Sequence, residues 1–360
     1  MSIIYSPLIS FLRTQKVSDI SNWELFIRQA RSANLLSKVA LILYETEQYD
    51  DIPIEVEWHF FSALKIAKAN KLSFSREYKI LSQIFQENEF EISFLKGVAY
   101  QIKGINAGNG RVFSDIDILV RKKDIRSVEV LLAQNGWRPS SFDTYYQKYY
   151  RKWMHELPPL KHTTRRISLD VHHNILPPTA ELKPDVEKIW DDSIQINDSQ
   201  FVKVLSPIDM VLHSATHLFH EGEFDNGLRD ISDIDFMLKE FQALENFWDN
   251  LINRAEELKI ERPLFYGLRY SYKILNTSIP TEIMSSKKLL PPNFLLIEIM
   301  DFLFLRSLMP NHNSCNDKWT GFARWVLYIR SHWLRMPLYL LIPHLLRKSW
   351  LKLMGNQEIY

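Results

Sequence analysis

The sequence predicts an α+β protein, a mixed sheet with helices flanked by helical N- and C-terminal regions. Three observations carry this. Short apolar runs rich in β-branched residues fall between residues 90 and 200, as buried strands do. Segments with apolar residues at helical spacing lie on either side of them. The stretch Ser206-Pro207-Ile208-Asp209 marks the return to helix, with Ser as cap, Pro at the first position and an acid in the first turn. The expected division is a helical region over 1–88, an α/β core over 89–200 and a helical region over 201–360.

In the first region, Ser21-Asn22-Trp23-Glu24 starts a helix over Trp23 to Ala33. An apolar stretch follows from Ser37 to Tyr44. Two more helices are expected, Pro53 to Ala69 and Leu72 to Glu87. Nothing in this region carries evident chemistry. It reads as packing for the core, with a wall of the substrate pocket as the functional alternative.

In the core, Glu91 to Leu95 predicts the first strand, Val98 to Ile105 a helix and Val112 to Val120 a second strand. Asp124 to Asn135 predicts an amphipathic helix stopped at Asn135-Gly136. Tyr145 to Tyr150 and His155 to Lys161 read as strands of a meander, and Arg166 to His172 as the last strand.

The second strand organises the rest. In a strand, side chains two apart share a face, so Asp115 and Asp117 project together while Ile116, Ile118 and Val120 face the core. Two adjacent carboxylates repel each other and resist burial. A divalent cation makes the pair favourable, and Mg²⁺ is held by one or two carboxylates plus substrate phosphates. By the same spacing Asp170 and His172 share a face, and Asp170 is the candidate third carboxylate.

Upstream, Leu95-Lys96-Gly97-Val98 reads as a strand end, a Lys-Gly turn and a helix start. Glycine there lets backbone N–H groups approach an anion, and Lys96 adds a point charge for phosphate. The glycine and asparagine loop from Gly104 to Gly110 delivers Arg111 beside the acids. Its guanidinium suits a triphosphate, or simply neutralises the acidic pair.

These residues resemble a nucleotidyltransferase family of the polymerase-β superfamily. The match rests on Leu95-Lys96-Gly97, then Arg111 with Ser114-Asp115-Ile116-Asp117-Ile118-Leu119-Val120, then Leu169-Asp170-Val171-His172. Superfamily members carry Gly-Ser at a helix start, where this chain has Lys96-Gly97. The resemblance implies metal-dependent transfer of a nucleoside monophosphate from a nucleoside triphosphate, ATP first among them, to a hydroxyl. Asp115, Asp117 and Asp170 would hold Mg²⁺ or Mn²⁺, with Asp170 completing a second metal position or acting as base. Lys96, Gly97, Arg111 and Ser114 would bind the triphosphate. The acceptor stays open among a small molecule, a sugar, a protein hydroxyl and an RNA end.

Other features compete for attention. His213, His217 and His220 share one helix face. The resemblance points His213 and His217 at the cleft, where they contact phosphate or position substrate; a structural face is the equal alternative, and the metalloprotease pattern is absent. His172 is either a partner of Asp170, a phosphate contact or structural. Ser-Asp-Ile-Asp recurs at Ser232 to Asp235, but in a helical pattern that makes Asp233 and Asp235 diverge. There, Asp230 or Asp233 would instead orient a helix-face histidine.

Composition sets outer limits. Of 360 residues, 46% are hydrophobic and 24% charged, as in ordinary folded proteins. A formal charge of +1 gives no global pull toward nucleic acid. The single cysteine, Cys315, rules out an internal disulfide and fits a reducing, cytoplasmic compartment. No signal peptide is expected, and no apolar run reaches the roughly 20 residues that span a bilayer. The stretch from Lys318 to Lys352 has no acids and mixes basic residues with Trp and Tyr. It reads as a C-terminal bundle face, or as a peripheral membrane contact. A rival from another class is an inactive nucleotide-binding or scaffold protein of the same fold.

Overall fold

A computed structural model describes residues 6–165, 167–197, 199–220, 222–337 and 339–342. Arg166 lies outside the described residues, as does the end of the basic aromatic stretch beyond residue 342. The α+β class holds: helices and a mixed sheet make up the chain. It divides into two compact units. One comprises Met1–Leu81, Lys96–Phe113 and Pro207–Tyr328; the other comprises Ser82–Leu95, Ser114–Ser206 and Ile329–Tyr360.

The second unit contains the sheet. Its strands among the described residues are β1 (Ile92–Phe94), β2 (Asp115–Val120), β3 (Trp137–Pro139), β4 (Leu160–His162), β5 (Ser168–His172), β6 (Ile194–Ile196) and β7 (Ser199–Val204). Their spatial order is β3-β4-β5-β2-β1-β7-β6. β2 pairs parallel with β5 and antiparallel with β1, so it is central. Ile116, Ile118, Leu119 and Val120 are all fully buried, which explains an apolar run on both faces of this strand. At the base of the sheet, Glu91 accepts from Arg121 Nε at 2.7 Å and from Lys203 Nζ at 2.6 Å. Both cations also lie over the Trp190 ring. This clamp ties the ends of β1, β2 and β7 together.

Two of the expected strands need correction. Tyr145 to Tyr150 lies inside a helix, Thr144–Trp153. Asp143 caps it by accepting from Tyr146 N at 2.8 Å. The aromatic run that looked strand-like instead pairs rings one turn apart, Tyr146 on Tyr150 and Tyr149 on Trp153. His155 to Lys161 is not one strand either. Pro158 and Pro159 interrupt it, leaving a bridge from Glu156 to His172 and then β4.

The first unit is helical. Asn22 caps the Trp23–Ser32 helix, as expected, by accepting from Leu25 N. The two helices expected over 53–69 and 72–87 are one continuous helix, Ile54–Glu87, most of which belongs to this unit. Asn70 does not break it. Its side chain turns outward, donating to Phe113 O at 3.0 Å and accepting from Phe113 N at 2.9 Å. The Pro207–His220 and Gly227–Phe241 helices pack here with Glu261–Leu275 around Phe219, Tyr266, Tyr270 and Phe304. Buried ion pairs join the bundle: Arg254 with Asp209, and Arg269 with Asp301. Among the described residues no helix is long and apolar enough to cross a membrane.

Candidate active site

The register of the parallel pair decides what faces what. Asp117 of β2 stands directly opposite Asp170 of β5, and Asp115 opposite Ser168. Adjacent strands are about 4.8 Å apart, so opposed side chains on one face are neighbours. The three acids singled out from sequence, Asp115, Asp117 and Asp170, therefore share a face across two adjacent strands. The surroundings differ from expectation in one respect. Asp115 is half-buried, with Ser114 Oγ donating to its Oδ1 at 2.9 Å, but Asp117 is only 6% exposed.

His172 explains how Asp117 tolerates burial. Its Nε2 lies 3.0 Å from Asp117 Oδ1, and its Nδ1 lies 3.2 Å from Glu156 Oε2. Of the three roles open to His172 from sequence, partner of Asp170, phosphate contact or structural, the hydrogen bonds seen here run to Asp117 and Glu156. Leu119 is the residue that stands opposite His172 in the register, and the imidazole reaches past it to the carboxylate two positions back along β2. Glu156 arrives through its bridge to His172, with Leu157 N donating to Val171 O at 2.9 Å and His173 N to His155 O at 2.8 Å.

The electrostatics follow. Burial pushes the Asp170 carboxyl up to about 8, and the nearby Asp117, Glu156 and Asp115 charges add to it, with His172 opposing. Its Oδ1 is buried and has no hydrogen-bond partner among the described residues. A buried carboxylate oxygen without a donor is costly, and a hard cation is a natural partner for a set of such oxygens. The residues present thus fit a divalent cation. A second donor set lies alongside: ligand atoms of His155, Glu156 and His172 all fall within 4.8 Å of one another. The three aspartates meet by strand register rather than in so tight a cluster.

Neither His155 nor Glu156 was found by sequence reasoning. The only local signal was position within an expected strand, and which strand they approach is a long-range fact.

The remaining residues singled out belong to the helical unit. Lys96 opens the Lys96–Lys103 helix with a left-handed φ of 47°. A Cβ on Gly97 would sit 2.5 Å from the Phe113 ring and 2.8 Å from Arg111 Nε, so glycine is required for that approach. Arg111 itself is ion-paired with Asp233, its second guanidine nitrogen 3.9 Å from Asp230. The expectation that Asp230 or Asp233 orients a histidine is corrected accordingly: both face Arg111. Asp235 turns elsewhere, accepting from Thr277 Oγ1 at 2.6 Å and Lys239 Nζ at 2.8 Å, so the second Ser-Asp-Ile-Asp does diverge on its helix. His213 and His217 are neighbours, ring centroids 6.4 Å apart, with His213 buried and His217 half-buried. His220 is buried, its Nδ1 2.9 Å from Thr216 O.

A mixed sheet that sets carboxylates face to face on adjacent parallel strands is suited to phosphoryl chemistry. A family model described as uncharacterised nucleotidyltransferase matches residues 19–276. The chain belongs to that family and is a nucleotidyltransferase. No curated protein and no solved structure matches it.

Proposed function

We propose that the protein moves a nucleoside monophosphate from a nucleoside triphosphate, ATP in the first instance, to a hydroxyl acceptor in a Mg²⁺- or Mn²⁺-dependent reaction. The observation that carries the reading is the Asp117–Asp170 opposition, with a buried oxygen on Asp170 that has no hydrogen-bond partner among the described residues. Asp115, Asp117 and Asp170 are the residues that would hold the cation. When bound, it supplies charge neutralisation for the triphosphate and lowers the barrier to releasing pyrophosphate.

The chain's own groups do the rest. The acceptor oxygen forms a bond to the α-phosphorus, the bond from that phosphorus to the β-phosphate oxygen breaks, and pyrophosphate leaves with the electron pair. Asp170 either completes the set that would hold the cation or takes the acceptor's proton as base. His172 fixes Asp117 through Oδ1. Ser114 steadies Asp115. Lys96 and the Gly97 backbone are proposed to bind the triphosphate, and Arg111 supplies positive charge from a position fixed by Asp233. His213 and His217 are proposed to position substrate. The buried free thiol of Cys315 is consistent with a reducing, cytoplasmic setting.

The test is to incubate the protein with nucleoside triphosphates labelled on the α-phosphate together with cell extract. Label should enter an acceptor with wild-type protein and not with Asp115→Asn or Asp117→Asn. Equal labelling by those variants would overturn the reading.

A further inference from the structure

The helical unit contains a cavity of about 590 Å³, within the size range of small-molecule sites. One side is apolar, formed by Leu41, Tyr44, Phe61 and Leu64. Phe61 is 55% exposed on the cavity wall, with Lys65 Nζ 5.0 Å from its ring centroid. The opposite character comes from Lys65, Lys68 and Lys71, three exposed lysines on the Ile54–Glu87 helix, which also contributes Glu57 to the lining.

The floor is preformed. It is the turn through Gly108, Asn109 and Gly110. Lys38 Nζ donates to Asn106 O at 2.8 Å and Ala107 O at 3.0 Å, and Ser37 Oγ donates to Gly110 O at 2.7 Å. Gly110 has φ of 66°, and a Cβ there would sit 2.7 Å from Lys38 Cα. A loop pinned this firmly spends little entropy on ordering when a ligand binds. Arg111 closes the floor, and in the chain it precedes Asp115 by four residues.

We propose that this cavity is a small-molecule site of the helical unit, and that its ligand is an apolar molecule carrying negative charge. The class follows from the lining: an aliphatic and aromatic wall takes the apolar body, and the lysine row takes an anionic group. The size and the wall select against a sugar or an RNA end, whose surfaces are polar throughout. The ligand chemistry stands on the cavity alone.

The test uses the full chain and two fluorescent probes of similar shape. One is 8-anilinonaphthalene-1-sulfonate, which is anionic, and the other is the uncharged N-phenyl-1-naphthylamine. The sulfonate should bind one per chain and at least tenfold more tightly than the neutral probe. Lys65→Glu/Lys68→Glu/Lys71→Glu should erase that preference, and Phe61→Ala should weaken both probes; the altered side chains are exposed, and circular dichroism checks the fold. Equal affinities of the two probes in wild-type protein, or a preference that survives the triple reversal, would overturn the ligand class. The sulfonate should also bind in the absence of Mg²⁺ and nucleotide; a requirement for either would overturn the site's independence. Asp115→Asn should bind the sulfonate normally, so failure of the catalytic reading appears as unchanged turnover in that variant, separately from any change in probe binding.

Discussion

Asp117 and Asp170 stand opposite each other in a parallel strand pair, Asp117 buried and Asp170 half-buried, with one oxygen of Asp117 held by His172 and one buried oxygen of Asp170 without a hydrogen-bond partner among the described residues. An arrangement that stores like charge in a sheet interior is a liability for folding and an asset for chemistry on phosphate.

Replacing Asp170 separates these two consequences. Asp170→Asn removes the titrating group and its repulsion while keeping the shape. In the absence of divalent cations, the variant should melt no lower than wild type at pH 8. Its rate of nucleotidyl transfer should fall by about 10²- to 10⁴-fold, the usual worth of a proton acceptor. Melting curves and label incorporation check the two halves.

Removing the His172 ring should act through Asp117. His172→Gln takes a hydrogen-bond partner from buried Asp117 and half-buried Glu156, costing roughly 1–3 kcal/mol in urea unfolding. The Mg²⁺ concentration for half-maximal activity should rise about 10- to 100-fold, as it does when the group orienting a metal ligand is lost. A purely structural role would lower stability without moving the Mg²⁺ dependence.

The ion pair of Arg111 with Asp233 predicts a non-additive result. Asp233 is buried and Arg111 partly so. Arg111→Met strands a buried carboxylate and should cost about 3–5 kcal/mol. Arg111→Met/Asp233→Leu should recover most of that loss. If the double variant regains stability but not activity, the charge of Arg111 serves the triphosphate as well as the fold.

Lys38 gives a pH dependence with a definite sign. Burial pushes its ammonium down to about 7, with Arg111 adding and Glu45 opposing. An unfolded lysine keeps its proton to about 10.4. Between those values the unfolded chain binds more protons, so stability rises with pH, by up to ~1.4 kcal/mol per pH unit. The stability of wild type relative to Lys38→Met should therefore climb from pH 7 to pH 10, measured by urea unfolding at each pH. A flat difference would show that the two carbonyl hydrogen bonds of Lys38 keep it charged.

What could be read from the sequence was whatever depends on local periodicity. The β2 strand, the shared face of Asp115 and Asp117, and the placement of Asp170 on a later strand all follow from the two-residue repeat. The cap at Asn22 and the helix start at Ser206-Pro207 follow from backbone chemistry within a few residues. Strand register does not: nothing local says that Asp117 meets Asp170 rather than a neighbour. Glu156 was hidden for the same reason, since it reaches His172 across a proline-interrupted segment. Arg111 and Asp233 lie 122 positions apart, a pairing that no window on the sequence exposes. The Thr144–Trp153 helix was missed because aromatic side chains favour strands on average, while one-turn ring pairing and the Asp143 cap favour helix here.

The most direct test of the central claim is a calorimetric titration of Mn²⁺, with a non-hydrolysable ATP analogue present, into wild-type protein and into Asp117→Asn. The account predicts clear Mn²⁺ binding to wild type and at least a tenfold loss of affinity in the variant, with melting temperature retained. Indistinguishable isotherms for the two proteins would contradict it.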